Sequence, residues 1–582
     1  MNKFLKVAGL ILLGIIFGII LTIIAIIGIS ISLVDSNRTI VYQNSYLILD
    51  FNGEIKEKPL RETIVPFERK REIELIKYLK SIEMAAYDPK IEGIVINGDM
   101  TFYSRVHARE IMSSIEKFKK SGKKVYTWLS NGINSNYYFV TIADYIYMPP
   151  TNSSFLSLNG SSISMPYLKD TFDKIGIEFN VFHIGKYKGA YENYSKNDIS
   201  EELKQSYELL IKNINQDFIE TIAKNRNIDK NIIKQRIANG DTIYMTPEKA
   251  KEYGFIDDML SYEEMFEKIG KKDCKRISIS SYSTLLKDKI SQNKIAIIYV
   301  EGTITNYWTG SDRANGDMIG AKSFLKDIEE IKKDTSIKAI ILRVNSPGGS
   351  ALASELMLKG LNELKKSIPV YVSMGPIATS GGYYISSEAE RIFASNTTIT
   401  GSIGVVFMLV NVEKLTKNLG INYKTIKEYK YDDYLNPTRK ATDEEVKIIL
   451  NSMQKTYEEF INHVMKGRNI SKDQISSIAE GRIWSGKEAL KYKLIDEIGG
   501  LNEAIEYAVV KNEIKNYSIV LYPKPPSFWD EIMNGESNLF YSENIVDKIS
   551  NNLYKKIKVF FNLYEKEKNI PYYILPFIEP IY

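Results

Sequence analysis

The sequence contains few of the residues on which many enzyme sites are built. It has one cysteine, Cys274, and three histidines among 582 residues. A single cysteine excludes an intramolecular disulfide and a cysteine-based metal cluster, and it leaves the cellular compartment open. His107 and His183 lie far from the turns considered below, and His463 lies in a helical stretch that contains Lys and Arg. This distribution disfavours a Ser-His-Asp triad without excluding it.

The chain also lacks a strong imbalance of charge. Its formal net charge is +5, which is small and diffuse for this length, and no basic motif with interleaved aromatic residues is present. Nucleic acid is therefore not an expected partner. No pattern of metal ligands or of cofactor-binding glycines stands out, so we expect neither a metal nor a cofactor.

One stretch, residues 7–34, has no charged side chain at all. At about 1.5 Å per residue, a helix of this length exceeds the roughly 30 Å thickness of the hydrocarbon core of a bilayer. The stretch is longer than the apolar core of a cleaved signal peptide, so it predicts a retained transmembrane signal anchor that contacts lipid. Lys3 and Lys6 precede it, which predicts a cytoplasmic segment 1–6 and a body outside the inner or plasma membrane, on the periplasmic side.

After this stretch the chain contains the same pattern twice. Ile91–Ile94 parallels Ile337–Ile340 at an offset of 246, and the pair Tyr137-Tyr138 parallels Tyr383-Tyr384 at the same offset. Such persistence indicates a tandem duplication of a domain, and the alternation of strands and helices in each copy favours an α/β fold. The predicted units are an N-terminal repeat at 40–290, a C-terminal repeat at 291–514 and an extension at 515–582.

Two glycine-rich turns lie in the second copy. The apolar run Ile337–Val344 predicts a buried strand that leads into the turn Ser346–Ser350 (Ser-Pro-Gly-Gly-Ser), after which Ser350 caps a predicted helix over residues 351–364. A second predicted strand, Pro369–Met374, leads into the turn Ala378–Tyr384 (Ala-Thr-Ser-Gly-Gly-Tyr-Tyr). Two adjacent strand-turn-helix units result.

These turns suit a serine nucleophile. Glycines beside Ser380 permit a tight turn that presents its hydroxyl, and the N–H groups of Gly381 and of Gly348 or Gly349 are candidates for an oxyanion hole. In place of histidine, a lysine with a pKa lowered by burial would serve as the base. Taken alone, a Ser-Gly-Gly turn favours the simpler interpretation that Ser380 is a small residue that a tight turn requires.

Together with Thr400–Val405 (Thr-Gly-Ser-Ile-Gly-Val), these turns resemble the signal peptide peptidase A family in its long, tandem-repeat form, the protease IV type. The resemblance implies a Ser/Lys peptidase with two tandem Clp/crotonase-like domains of the ββα superhelix type. The family has its general base in a Tyr-Lys-Ser-Ala type motif. Residues 185–192 match that motif with Gly189 in place of Ser, so Lys188 is the implied base, and Ser402 matches a serine that orients the lysine.

The duplication supports a composite site. Ser380 corresponds to Asn134 in the first copy, whereas Lys188 corresponds to Asp432 in the second. Each half retains what the other lacks, which predicts that the N-terminal repeat supplies the lysine and the C-terminal repeat the serine. A related pair of positions, Tyr244 and Trp484, is expected to pack in the two cores.

The predicted function is a membrane-anchored serine endopeptidase that degrades cleaved signal peptides and other hydrophobic peptides through an acyl-enzyme. The resemblance also implies a homotetramer. One alternative is a catalytically inactive membrane-anchored scaffold of the same fold. Another is an acyl-CoA enzyme of the crotonase type, which is harder to reconcile with a domain outside the cell membrane.

Overall fold

The computed structural model describes residues 14, 18, 39–50, 55, 57, 73–100, 104–270, 274–286, 291–306, 318–524 and 572–574. The predicted anchor at 7–34 lies outside this part of the chain, apart from Gly14 and Gly18. None of the helices in the described ranges combines the length and the apolar character that crossing a bilayer requires.

The first repeat is built on a parallel sheet with the strand order β9-β1-β2-β3-β5-β8. The strands of the first repeat, including three outside this sheet, are β1 (Ser45–Leu49), β2 (Ile91–Asn97), β3 (Lys124–Trp128), β4 (Asn131–Gly132), β5 (Tyr145–Met148), β6 (Phe155–Leu156), β7 (Glu178–Ile184), β8 (Asp258–Met259) and β9 (Lys275–Ser278). Its helices are α1 (Leu75–Tyr87), α2 (Arg105–Lys119), α3 (Asn134–Val140), α4 (Lys169–Ile175), α5 (Glu192–Ser195), α6 (Glu201–Arg226), α7 (Lys230–Asn239), α8 (Pro247–Glu252), α9 (Tyr262–Ile269) and α10 (Ile279–Tyr282).

The second repeat has a corresponding sheet in the order β21-β10-β13-β15-β16-β20, and β17 and β19 continue it beyond the end of β15. Its strands are β10 (Asn293–Glu301), β11 (Thr303–Thr305), β12 (Met318–Gly320), β13 (Ile337–Ser346), β14 (Gly348–Ser350), β15 (Val370–Thr379), β16 (Arg391–Ala394), β17 (Ile399–Gly401), β18 (Val405–Asn411), β19 (Ile483–Ser485), β20 (Glu497–Ile498) and β21 (Tyr517–Tyr522). Its helices are α11 (Ala321–Lys333), α12 (Ala351–Lys365), α13 (Gly381–Ser386), α14 (Glu413–Asn418), α15 (Asp443–Arg468), α16 (Lys472–Ile478), α17 (Gly486–Lys491) and α18 (Leu501–Lys511).

The two main sheets share one topology, because each strand of the first has its counterpart at the same place in the second. The pairs are β1 with β10, β2 with β13, β3 with β15, β5 with β16, β8 with β20 and β9 with β21. The fold is therefore mixed α/β with a tandem repeat, as the sequence predicts. The expected cap is also present, because the Ser350 side chain accepts a hydrogen bond from the N–H of Ala353 at the start of α12.

A third sheet joins the repeats, in the order β12-β11-β14-β22-β18-β7, where β22 comprises Tyr572–Ile574. In it β7 of the first repeat pairs antiparallel with β18 of the second, from Ile184 opposite Val405 to Glu178 opposite Asn411. The strand β22 (Tyr572–Ile574) comes from the C-terminal extension and lies between β14 and β18. Because β7 pairs with β18, the residues that follow β7 lie against the second repeat.

A buried ionic cluster also joins the repeats. Arg343, on β13, donates two hydrogen bonds to the carboxylate of Glu57 and two to that of Glu110, at 2.7 to 2.9 Å. His107 Nε2 lies 2.7 Å from Glu57 Oε1, and Glu110 also accepts from the N–H of Leu501. Because buried charges require such partners, the cluster fixes how the first repeat packs on the second.

One packing prediction is wrong. Trp484 is buried as expected, with its indole N–H donating to the carbonyl of Ile478, but Tyr244 is 60% exposed. An isolated bridge pairs Met245 with Leu156, and Met245 is fully buried. Successive side chains of extended chain point to opposite faces, so Tyr244 turns outward and stacks on Phe155.

Candidate active site

Ser380 lies in the sharp turn between β15 and α13. Its backbone has φ 53° and ψ −116°, a strained conformation for a residue other than glycine. The turn is held by its N–H, which donates to the carbonyl of Gly401, and by its carbonyl, which accepts from the N–H of Tyr384. A Cβ on Gly382 would lie 2.8 Å from the carbonyl oxygen of Ser346, so the turn packs too closely to tolerate a side chain there.

Lys188 follows β7 and enters the second repeat. The N–H of Tyr187 donates to the carbonyl of Glu480, and a Cβ on Gly481 would lie 2.5 Å from the Cβ of Lys188. The Arg482 guanidinium lies 3.7 Å from the centre of the Tyr187 ring. Residues 480–482 thus form a cradle that holds the lysine backbone against the second repeat.

The lysine side chain reaches the serine. Lys188 Nζ lies 2.7 Å from Ser380 Oγ, and Lys188 is only 2% exposed. Its other partners both belong to Ser402, whose carbonyl oxygen and Oγ each lie 2.9 Å from Nζ. Burial holds the pKa of the Lys188 ammonium well below its usual value, because water no longer stabilises the charge.

Ser402 sits in a second strained turn, with φ 54°. Its N–H donates to the carbonyl of Arg482, which belongs to the same cradle that holds Lys188. The three residues proposed from the sequence as nucleophile, base and lysine-orienting residue are therefore brought together from β15, β7 and the turn between β17 and β18.

The three candidate oxyanion glycines lie beside this group. Gly348 and Gly349 have φ of 105° and 153°, which favour glycine, and a Cβ on Gly349 would lie 2.0 Å from the carbonyl oxygen of Ile304. A Cβ on Gly381 would lie 3.2 Å from the nitrogen of Gly349, so these two residues are neighbours. The N–H of Gly348 already donates to Ser346 Oγ.

The histidines are engaged elsewhere. His107 belongs to the buried cluster, His183 Nε2 lies 2.9 Å from the carbonyl oxygen of Ala190, and His463 lies between the carboxylates of Glu355 and Glu388. Among the described residues, one group of side chains is arranged as potential metal ligands, and it comprises His463 itself with Glu355 and Glu459. The serine and lysine therefore meet without help from any histidine.

The cradle at residues 480–482 is not predictable from the local sequence. The Lys186 N–H, for example, donates to the Glu480 carboxylate across 294 residues of chain. The one local signal is the glycine at 481, with φ 76°, but glycines are frequent in turns and this one belongs to no motif.

Comparison with known proteins gives the family. The family model described as Peptidase family S49 matches residues 117–274 and 362–515, one segment in each repeat. The chain belongs to peptidase family S49. It is a serine peptidase of the signal peptide peptidase A type in its long, protease IV form, so the predicted resemblance is confirmed.

Relatives support the same assignment. The chain is 32% identical to "Protease 4" of Haemophilus influenzae over 467 residues, which cover 75% of this chain and 73% of that protein. It is 33% identical to the chloroplastic "Serine protease SPPA" of Arabidopsis thaliana over 470 residues, or 78% and 68% of the two chains. A shorter protein, the "Putative signal peptide peptidase SppA" of Enterococcus faecium, is 34% identical over 239 residues, or 41% of this chain and 69% of that one.

Proposed function

We propose that this peptidase is membrane-anchored and hydrolyses cleaved signal peptides and other hydrophobic peptides, with Ser380 as nucleophile and Lys188 as general base. The observation that carries the proposal is the 2.7 Å distance between Lys188 Nζ and Ser380 Oγ at a buried position. A lysine amine is a base only when it is neutral, and burial favours the neutral form.

Three oxygen atoms surround Lys188 Nζ, and a neutral amine binds all three if the Ser380 hydroxyl acts as a donor. A neutral amine has two N–H donors and one lone pair, whereas an ammonium has three donors and no acceptor. The carbonyl oxygen of Ser402 can only accept, and Ser402 Oγ takes the second donor. The lone pair is then left for the hydroxyl proton of Ser380, which is the arrangement that proton abstraction requires.

The oxyanion hole is proposed to consist of the N–H groups of Gly381 and Gly349. Gly381 is the first residue of α13, so its N–H has no acceptor within the helix. Gly349 lies next to it, whereas the N–H of Gly348 is occupied by Ser346 Oγ. Gly348 is therefore assigned to the shape of the turn rather than to the oxyanion.

The chemistry follows from these positions. Ser380 Oγ attacks the scissile carbonyl while its proton passes to Lys188 Nζ, and the tetrahedral oxyanion accepts hydrogen bonds from the two glycine N–H groups. Lys188 then returns the proton to the leaving amine as the C–N bond breaks, which leaves an ester on Ser380. A water molecule repeats the cycle, with Lys188 taking its proton, and the acid product and free serine are released.

The substrate is proposed to bind as an extended strand between β14 and β18. The chain's own β22 pairs antiparallel with Gly348–Ser350 at this place, which supports a site for backbone rather than for one side chain. The name of the relative from Enterococcus faecium, a putative signal peptide peptidase, supports the substrate class. A Clp/crotonase-type fold for each repeat is supported by the shared sheet topology and the glycine-lined turn.

The location is part of the proposal. The uncharged stretch 7–34 supports a single membrane anchor in the inner or plasma membrane, and the lysines before it support a body on the extracytoplasmic side. No cofactor is required by the steps above. We also propose a homo-oligomer, taken as a tetramer from the family resemblance.

The deciding experiment measures cleavage of a quenched hydrophobic peptide by the detergent-solubilised full chain. Ser380→Ala and Lys188→Met should each lower kcat/KM by several orders of magnitude, because the nucleophile and its base act together and neither works without the other. Lys186→Met, two residues from Lys188 and with an exposed side chain, is the matched control and should keep full activity. Wild-type activity in both site variants would overturn the dyad, and failure of the wild type to cleave any peptide would favour the scaffold alternative.

A further inference from the structure

The two glycines of the proposed oxyanion hole lie on different elements, so their separation depends on how those elements pack. Gly381 begins α13 directly after Ser380, whereas Gly349 lies on β14, from which α12 follows directly. The two helices approach each other closely, because a Cβ on Gly381 would lie 2.6 Å from Ser354 Oγ on α12. An oxyanion hole with one N–H from each side needs a fixed distance between α12 and α13.

A buried hydrogen bond joins these two helices close to the site. The hydroxyl of Tyr384, on α13, donates to Glu355 Oε2, on α12, at 2.6 Å. Tyr384 is fully buried and Glu355 is 8% exposed, so water competes little for this bond. The N–H of Tyr384 also donates to the carbonyl of Ser380, which connects the bond directly to the strained turn. The bond therefore fixes the helix of the nucleophile against the helix that follows the oxyanion glycines.

His463, on α15, holds the Glu355 carboxylate in place. Its Nε2 lies 3.1 Å from Glu355 Oε2, and its Nδ1 lies 2.6 Å from Glu388 Oε1. Burial alone would lower the pKa of His463, but its hydrogen bonds to the two carboxylates raise it overall, which favours an imidazolium with two N–H donors. The imidazole ring also lies 5.2 Å from the ring of Tyr384. Glu355 is thus fixed by a cation as well as by the tyrosine.

The first repeat makes a different bond at the corresponding place. Tyr138 is the counterpart of Tyr384 at the offset of 246, and its hydroxyl donates to Asp217 Oδ2 at 2.8 Å. Asp217 lies on α6, whereas the position on α2 that corresponds to Glu355 is Arg109. The tyrosine of the repeat without the serine therefore ties its helix to α6. The tyrosine of the repeat with the serine instead ties its helix to α12, next to the oxyanion glycines.

We propose that Glu355 is a positioning residue for the reaction, which acts through Tyr384 to set the distance between the N–H groups of Gly381 and Gly349. The proposal rests on the oxyanion hole proposed above. Without the bond, α13 shifts on α12, and the two N–H groups no longer meet the oxyanion together. Neither Glu355 nor Tyr384 lies on β14 or β18, where the substrate is proposed to bind. The loss therefore falls on the transition state and should change kcat rather than KM.

The first test compares Tyr384→Phe with Tyr138→Phe in the detergent-solubilised full chain. Each variant loses one buried hydroxyl and its bond to a carboxylate, so the melting temperature should fall by a similar amount in both. Tyr384→Phe should lower kcat by at least about tenfold with KM nearly unchanged, since removal of one oxyanion donor costs about 10²–10³ and a displaced donor loses part of that. Tyr138→Phe should keep the wild-type kcat. Equal kcat in the two variants would overturn the proposal.

Substitutions at Glu355 separate the bond from the charge. Glu355→Gln keeps an oxygen that accepts from the tyrosine hydroxyl, so it should keep most of the wild-type kcat. Glu355→Leu removes the acceptor and should match Tyr384→Phe. Because both variants break one and the same bond, the double variant Glu355→Leu, Tyr384→Phe should lose no more kcat than either single variant. Additive losses, or equal losses in Glu355→Gln and Glu355→Leu, contradict the proposed role.

A peptide aldehyde tests the oxyanion hole directly. Ser380 Oγ adds to the aldehyde carbon while its proton passes to Lys188 Nζ, and the aldehyde oxygen becomes the oxyanion. This adduct resembles the transition state, so the Ki of the aldehyde should rise in Tyr384→Phe by the factor by which kcat/KM falls. An unchanged Ki beside a lowered kcat would place the effect outside the oxyanion hole and overturn the proposal. Ser380→Ala is assayed in parallel: activity that survives in this variant refutes the proposed dyad, whereas full activity in Tyr384→Phe alone refutes only the role of Glu355.

Discussion

At the scale of single residues, the protonation of Lys188 should set the pH dependence of the enzyme. Burial lowers the pKa of the ammonium, and only the neutral amine can accept the Ser380 proton. Activity should therefore rise with pH as the lysine loses its proton, and the midpoint of this rise in kcat/KM should lie well below the usual pKa of lysine. The measurement is peptide hydrolysis across a pH series.

A histidine is the competing explanation for such a rise. His183 is the nearest test, because burial lowers its pKa and its charge interacts with that of Lys188. His183→Gln should keep the rising limb in place. Loss of the limb in this variant, or a midpoint at the ordinary value for lysine, would refute the assignment of Lys188.

The two halves of the dyad differ in how far they follow from sequence alone. Ser380 is predictable from local chemistry, because an apolar strand, a pair of glycines and a helix together indicate an exposed hydroxyl in a tight turn. Lys188 is one lysine among many, and nothing local distinguishes it. Its burial depends on residues 480–482, nearly 300 residues away, so resemblance to a family was needed to find it.

At the scale of elements, the cradle at 480–482 should be as important to catalysis as β7, the strand that leads to the lysine. A Cβ at Gly481 would lie 2.5 Å from both N and Cβ of Lys188, and its φ of 76° disfavours any other residue. Gly481→Ala should displace Nζ from Ser380. A misplacement of about 1 Å can cost about a hundredfold in rate, which is the loss of kcat expected here.

Backbone strain at a positive φ would by itself lower the activity of Gly481→Ala, so the control substitution must introduce the same strain elsewhere. Gly122 has φ 87° and open space where its Cβ would lie. Gly122→Ala should keep its kcat and show only a lower melting temperature. Equal loss of kcat in the two variants would mean that general destabilisation, rather than displacement of Lys188, explains the effect.

The C-terminal strand β22 occupies the place proposed for substrate. It pairs with Gly348–Ser350 on one side and with Val406 on the other. A chain that ends at Lys524 should therefore bind peptide more tightly, with a KM several times lower and an unchanged kcat, because the competing strand is gone.

A point substitution provides the control for this truncation. Tyr573→Pro in the full chain removes one backbone donor from β22 and should lower KM in the same direction. A higher KM in either protein would show that β22 helps to form the substrate site rather than filling it. Steady-state kinetics on one peptide decide between these outcomes.

At the scale of the whole molecule, the duplication was predictable and the packing of the two repeats was not. The apolar runs and the tyrosine pairs recur in both repeats because these residues are buried at corresponding places in each, so the local sequence reveals the duplication. The contacts between the repeats instead involve charged side chains such as Arg343, Glu57 and Glu110, which by residue type alone are expected at the surface. The pairing of β7 with β18 is likewise not predictable from local sequence, because the sequence of a strand does not indicate which strand it pairs with.

The cluster at Arg343 should therefore dominate the stability of the joined repeats. Arg343→Leu would leave the carboxylates of Glu57 and Glu110 buried without their shared partner, and breaking a buried ion pair costs about 3–5 kcal/mol. In the folded protein, burial alone would raise the pKa of Glu57, but Arg343 and His107 lower it overall. The contribution of Glu57 to stability is thus complete above the usual pKa of glutamate and declines as pH falls through the lowered value.

Arg343→Leu should unfold at a lower urea concentration than the wild type at neutral pH, as measured by tryptophan fluorescence. On acidification, the variant should lose less stability than the wild type does. The smaller loss follows because Glu57, once its partner is gone, no longer has a strongly lowered pKa to titrate. Lys366→Leu removes an exposed partner of Glu363 and should leave the midpoint almost unchanged, as surface ion pairs contribute little. If Arg343→Leu unfolded at the wild-type midpoint, the cluster would be dispensable, and the pairing of β7 with β18 together with apolar contacts would hold the repeats together.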